Sequence, residues 1–204
     1  MLVEIDEQIL TQSLEALVRW RDLGYRIPRI SLNYSSEGLK REDILEHLLN
    51  NLDKFGLTPQ DVGIEVLEPA FLGGDTSTML KNINRLSEAG FAIELDNFGT
   101  GQTAVTSLID LSVDRIKLDK ELIHDLEFAG PGQTITRTLV RLAEELGIAT
   151  VAEGVETITQ IEFLQSIGCM NHQGFYYAEP MSCESLCDWL TVHSGSSAVT
   201  ENGV

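Results

Sequence analysis

The chain has 204 residues, 43% of them hydrophobic, enough to bury one core and too many for a chain disordered along most of its length. Its formal net charge of -18, from 14 Lys+Arg against 32 Asp+Glu, argues against non-specific binding to DNA or to an anionic membrane surface, and an anionic ligand would need the help of a cation. Three cysteines (Cys169, Cys183, Cys187), no signal-like start and no bilayer-length apolar run predict reducing cytoplasm and no membrane span.

Residues Ile5 to Leu23 read as a helix, with Ile9, Leu10, Leu14, Leu17 and Val18 at three- and four-residue spacings and Gly24 as the stop. Arg29 to Asn33 alternates as a short strand, and Asn33-Tyr34-Ser35-Ser36 has the composition of a loop. Ile44, Leu45, Leu48, Leu49, Leu52 and Phe55 form one face of a second helix ending at Gly56, and Val62 to Leu67 is a strand. Asp75 or Thr76 caps a helix carrying Met79, Leu80, Ile83 and Leu86 that stops at Gly90. Phe91 to Asp96 is a strand, Val105 to Leu111 a short helix, and Asp114 to Asp119 a strand. Gly132 to Leu146, Thr157 to Ile167 and Ser182 to Val192 read as helices, separated by strands at Ala149 to Glu153 and Gln173 to Tyr177. Cys183 and Cys187 share a helical face without partner ligands and read as inert thiols.

Strands alternating with helices in this way predict parallel βαβ units, either an α/β sheet or a barrel. At or near the strand ends stand Asn33, Glu65, Asp96, Asn97, Lys117, Glu153 and Gln173. Parallel-sheet enzymes gather their site residues at the C-terminal ends of strands. Oxygen ligands of this kind suit Mg²⁺ or Mn²⁺ better than Zn²⁺, and a bound metal makes hydroxide available for attack on a phosphodiester. Lys117 is placed to hold that water or the phosphate. The plainer alternative for Glu65, Asp96 and Glu153 is a carboxylate capping the next helix, and for Glu68, Glu94 and Asp119 that plainer reading is preferred.

Three motifs carry a family resemblance. Asp96-Asn97-Phe98-Gly99-Thr100-Gly101 is similar to Asp-Asp-Phe-Gly-Thr-Gly, Ala152-Glu153-Gly154-Val155-Glu156 to Ala-Glu-Gly-Val-Glu, and Gln173-Gly174-Phe175 to Gln-Gly-aromatic, as found in EAL domains. That family comprises cyclic di-GMP phosphodiesterases and their inactive relatives, and the resemblance covers about residues 1 to 190. It implies a TIM-like (β/α) barrel of EAL type, incomplete at about six of eight strands, with an EAL-like domain over 1–192 that lacks the family's first two strands and a disordered tail over 193–204. It further implies a Mg²⁺ or Mn²⁺ site made by Asn33, Glu65, Asp96, Asn97 and Glu153. Lys117, Glu153 and Gln173 would take the catalytic roles; Asn33, Asp96, Gly99, Thr100 and Glu156 would make further binding contacts, with Glu156 bracing the glycine loop.

Two departures qualify what the resemblance implies. Asn97 stands where active members carry a second Asp, so a full negative charge is lost at the second metal. Glu15-Ala16-Leu17 imitates the signature that names the family but falls inside the first helix, so the true signature Glu is not encoded. Leu67 also replaces the Thr of Glu-x-Thr-Glu. Three readings stay open: a cyclic di-GMP receptor with little or no turnover, a Mg²⁺- or Mn²⁺-dependent phosphodiesterase giving linear pGpG, and a protein-binding scaffold. The receptor reading is preferred. Open sheet edges near Ile30 and Phe175 predict self-association, or contact with a preceding sensory or cyclase domain.

Overall fold

A computed structural model of the chain describes residues 2–67, 77–99, 108, 111–127 and 130–193. Six strands form one sheet in sequential order, and every neighbouring pair is parallel. They are β1 (Ile30–Asn33), β2 (Val62–Leu67), β3 (Ala92–Phe98), β4 (Arg115–Leu118), β5 (Ala149–Glu153) and β6 (Asn171–Gln173). The helices among the described residues are α1 (Leu2–Asp22), α2 (Ser36–Leu39), α3 (Ile44–Lys54), α4 (Ser77–Glu88), α5 (Lys120–His124), α6 (Pro131–Glu145), α7 (Ile158–Ser166) and α8 (Cys183–His193).

Alternation along the strands sorts the residues into two faces. Leu32, Ile64, Val66, Ile93, Leu95, Ile116 and Leu118 point outward and are buried beneath helices. The apolar core has two parts that meet at β3. One gathers Leu10 and Leu14 of α1 with Leu48, Leu52, Met79, Ile83 and Leu86, and the other gathers residues of β4, β5, α6 and α7. The opposite face carries Ser31, Asn33, Gly63, Glu65, Glu94, Asp96, Arg115, Lys117, Val151 and Glu153. This face is concave, because Lys117 on β4 reaches Glu65 on β2 at 2.8 Å. Strands two apart in a flat sheet lie about 9.5 Å from each other, so such contacts require the sheet to curl. The architecture is an incomplete barrel whose polar inner face is open between β1 and β6.

The expected helices that fall among the described residues, and most of the strands, are found within a residue or three of their predicted ends. Gly90 and Gly147 turn the chain from helix into strand with φ of 99° and 71°, a conformation that costs other residues more. Some expectations are corrected. The last strand is not Gln173 to Tyr177 but Asn171–Gln173, because the chain turns after Gly174 and the Tyr176 amide donates to the Val155 carbonyl at 3.0 Å instead of extending the ladder. The Tyr177 and Ala178 amides both donate to the Gly174 carbonyl, closing a turn that leaves Phe175 61% exposed. The second sheet edge is therefore β6 and not Phe175. β3 runs past Asp96 to Phe98. Two short helices, α2 and α5, are not among those expected: α2 begins at the end of the stretch read as loop, and α5 follows the strand read to Asp119. Most of the short helix expected at Val105 to Leu111 lies outside the described residues, as do the cap at Asp75 or Thr76 and residues 194–204 of the tail; His193 ends α8.

The apolar face of α1 is not left without a surface. Leu10, Leu14 and Leu17 are buried against the sheet's helical layer, and Ile9 is 41% exposed. The helices flanking the two sheet edges touch: the Tyr25 hydroxyl, just beyond α1, donates to the Cys187 carbonyl of α8 at 3.1 Å and bonds the Thr191 hydroxyl at 2.7 Å.

Asn82 is a buried polar tie that the sequence did not single out. At 2% exposure, its side-chain amide donates to the carbonyls of Leu39 and Arg41, both at 2.8 Å, and so fastens α4 to the end of α2. Asn82→Ala leaves two carbonyls without those donors, and urea denaturation should show a loss of about 1–3 kcal/mol.

Candidate functional site

Lys117 stands at the centre of the inner face near the C-terminal ends of the strands. Its ammonium donates to Glu65 Oε2 at 2.8 Å, lies 2.5 Å from Glu153 Oε1 and 3.7 Å from Asp96 Oδ1. Glu65, Asp96 and Lys117 are buried, and Glu153 is half-buried. The three carboxylates come from β2, β3 and β5, so the cluster exists only because the sheet curls around β4. Three carboxylates against one ammonium leave a formal charge of -2 in a partly dry site.

The electrostatics follow from burial and pairing together. Burial lifts the Glu65 and Glu153 carboxyls above their ordinary values even though the Lys117 ammonium pulls both down. Burial alone would discourage the Lys117 ammonium, but its hydrogen bonds with Glu153 and Glu65 overcome that penalty and hold its pKa above the ordinary lysine value. Lys117 is thus a cation held among carboxylates. Among the described residues no three His, Cys, Asp or Glu side chains surround a common point as a bound ion requires. The donors are nevertheless all oxygen, the chemistry of a hard divalent cation.

Asn33 ends β1 and is paired in register with Glu65, which brings it to the same end of the sheet on the exposed edge strand. Asn97 sits in a bulge: Leu95 pairs with Ile116 and Phe98 with Leu118, so β3 carries one residue more than β4. Its φ of 57° is the left-handed conformation that Asn tolerates, and its amide N–H donates to Asp96 Oδ1 at 2.9 Å. The bulge lets Asp96 keep facing Lys117 while the chain turns toward Gly99. A Cβ on Gly99 would lie 2.7 Å from Leu122 Cδ1, so this position takes no side chain without rearrangement. Thr100 and the rest of the glycine loop to 107 lie outside the described residues, so the bracing role of Glu156 finds no described partner there.

The remaining candidates lie around the cluster. Gln173 is exposed at the end of β6 and paired in register with Glu153, and its carbonyl accepts from the Val155 amide at 3.0 Å. Glu156 is exposed and, with Lys120, His124 and Gly154, lines a cavity of about 430 Å³ beside the site. Asp119 has the structural role expected of it, capping α5 by accepting from the Glu121 amide at 2.7 Å. Glu94 does not cap a helix; it is buried in the layer beneath the site.

The family model for the EAL domain matches residues 1–180. This chain belongs to the EAL family. The EAL chain is 32% identical over 187 residues to the cyclic di-GMP phosphodiesterase PA2567 of Pseudomonas aeruginosa, covering 91% of the chain and 31% of that protein. It is 32% identical to the PaMucR phosphodiesterase solved in complex with c-di-GMP, with a TM-score of 0.82 over 90% of the chain and 74% of that one. A manganese/cy-diGMP complex of Klebsiella pneumoniae BlrP1 matches with a TM-score of 0.75 and 32% identity, over 85% of the chain and 44% of that one. The chain spans about a quarter to a third of the length of the first curated relatives it matches. Among its described residues no helix is long and apolar enough to cross a membrane.

Gln160 supports the site and was not singled out from the sequence, although Thr157-x-x-Gln160 is a legible capping box. The Gln160 side chain accepts from the Glu156 and Thr157 amides and donates to the Ile123 carbonyl at 3.2 Å, tying the loop after Glu153 to α5. Gln160→Ala should lower stability by about 1–3 kcal/mol. The loss should be accompanied by faster protease cleavage within 154–157.

Proposed function

We propose that this EAL domain binds cyclic di-GMP with little or no turnover. The carrying observation is the amide of Asn97, in the bulge directly after Asp96, where active relatives carry a carboxylate. A bis-phosphate ligand approaching Glu65, Asp96 and Glu153 meets net negative charge, so binding calls for a divalent cation, Mg²⁺ or Mn²⁺, held by Asn33, Glu65, Asp96 and Glu153. When bound, such a cation supplies Lewis acidity toward a phosphodiester and offsets the repulsion. The chain's own contribution is positional. Glu65 and Glu153 hold Lys117 charged and in place, and Lys117 presents that charge to a phosphate oxygen. Gln173 and Glu156 border the mouth.

A second reading is a cation-dependent phosphodiesterase giving linear pGpG. It is favoured by the convergence of Glu65, Asp96, Glu153 and Lys117 and by the activity of relatives at about one-third identity. The receptor reading stands ahead because a lost ligand charge removes several kcal/mol of transition-state stabilisation, and each ~1.4 kcal/mol is tenfold in rate. Association with a second copy, or with a sensory or cyclase domain, belongs to the same proposal through the open β1 and β6 edges. Sedimentation at several concentrations checks it.

Calorimetry with Mn²⁺ should reveal a site that Glu65→Ala abolishes; identical heats for both proteins would rule the site out. With cyclic di-GMP and Mn²⁺ present together, binding should be seen while product forms far more slowly than ~1 per second, a rate usual for enzymes. Asn97→Asp is an informative variant because Asp also tolerates the left-handed backbone at this bulge. It should not restore turnover on its own.

A further inference from the structure

Beneath the carboxylate–lysine cluster lies a second polar layer that the proposed chemistry does not use. Glu94 on β3 is 2% exposed, and its Oε1 accepts from the Ser31 hydroxyl of β1 at 2.9 Å and from Arg115 Nη1 of β4 at 3.2 Å. Arg29 Nη2, one residue before β1, lies 3.9 Å from the same oxygen. One carboxylate therefore joins the edge strand, the third strand and the fourth.

The layer spans the intervening strand only because β2 offers no side chain there. Ser31 is in register with Gly63, and a Cβ built on Gly63 would fall 2.6 Å from Glu94 Oε1 and 3.0 Å from Ser31 Oγ. The Glu94 carboxylate crosses β2 through the space that glycine leaves. Ser31 of β1 and Glu94 of β3 thus meet across β2 on the concave face, and their bond ties the edge strand to that curl. The residues one step up the same strands are Asn33, Glu65, Asp96 and Lys117. Glu65 and Glu94 are themselves register partners.

We infer that Glu94 is a positioning residue for the site: clasped to Ser31, Arg115 and Arg29 over Gly63, it sets the curvature that brings Asn33 and Glu65 within reach of Asp96, Lys117 and Glu153. The inference rests on the reading of those residues as a cation-binding set. The clasp ties the edge strand to β3 and β4 through a buried charge. An uncompensated buried carboxylate is costly, which is why two guanidinium groups attend it.

The test compares Glu94→Ala, Glu94→Gln and Ser31→Ala by Mn²⁺ calorimetry and by amide hydrogen exchange without metal. Glu94→Gln keeps an acceptor oxygen for Ser31 and Arg115 and should bind Mn²⁺ within about threefold of wild type, whereas Glu94→Ala should bind about tenfold or more weakly, the size of effect seen when the support of a metal ligand is removed. Exchange at Ile30–Asn33 should accelerate in Glu94→Ala and Ser31→Ala while Ala149–Glu153 stays unchanged. Unaltered Mn²⁺ affinity in a folded Glu94→Ala, or exchange that rises equally in all six strands, would overturn the inference. Should Glu94→Ala fail to fold, the milder Ser31→Ala decides by the same two readouts. A wild type that takes up no Mn²⁺ would refute the cation-site reading instead, and exchange at β1 would then judge the clasp alone.

Discussion

The layer of the inner face at the C-terminal ends of the strands is arranged around one buried ammonium. Lys117 brings a positive charge into a place where three carboxylates are losing water, and neither sign is tolerable there without the other. The ammonium needs partners from β2, β3 and β5, so the sheet has to bend. The bend in turn determines which outward residues meet the helices and where the apolar core divides. Removing one partner of such a set leaves a buried charge uncompensated, typically a loss of 3–5 kcal/mol. A site of this kind is therefore also a structural element, and its chemistry cannot be altered without consequences for the fold.

The same crowding bears on the choice between receptor and enzyme. Glu65, Asp96 and Glu153 face the lysine, and the amide of Asn97 adds no charge to the three that they carry. Binding a ligand with its own cation can proceed by reorienting Glu65 and Glu153. Accelerating hydrolysis asks in addition for a fixed geometry at the reacting phosphate, and that requirement is the more demanding one.

Much of this was legible in the sequence because two periodicities and one placement rule suffice for it. Leu10, Leu14 and Leu17, or Met79, Ile83 and Leu86, announce helices by spacing, and Glu65, Asp96, Lys117 and Glu153 announce a site by standing at or near strand ends. What escaped were features decided by contacts across the sheet. The bulge at Asn97 depends on how β3 registers with β4, which no local pattern encodes. Phe175 to Tyr177 has the composition of a strand, yet Gly174 packs against the Val155 backbone so closely that a Cβ would overlap it, and the chain turns there. Glu94 looked like a strand carboxylate with a plain capping role, and its actual partners, Ser31 and Arg115, are 63 and 21 residues distant.

The sequential order of the strands has a consequence for how the molecule comes to exist. Each strand pairs with the next one in the chain, so the sheet can grow by closing one short loop after another, without a long-range encounter at the start. The Lys117–Glu65 bond, by contrast, spans 52 residues and skips a strand, and Glu153 arrives later still. The polar cluster of the inner face is therefore complete only once β2, β3, β4 and β5 are all in place, so it marks the completion of the sheet and not its start.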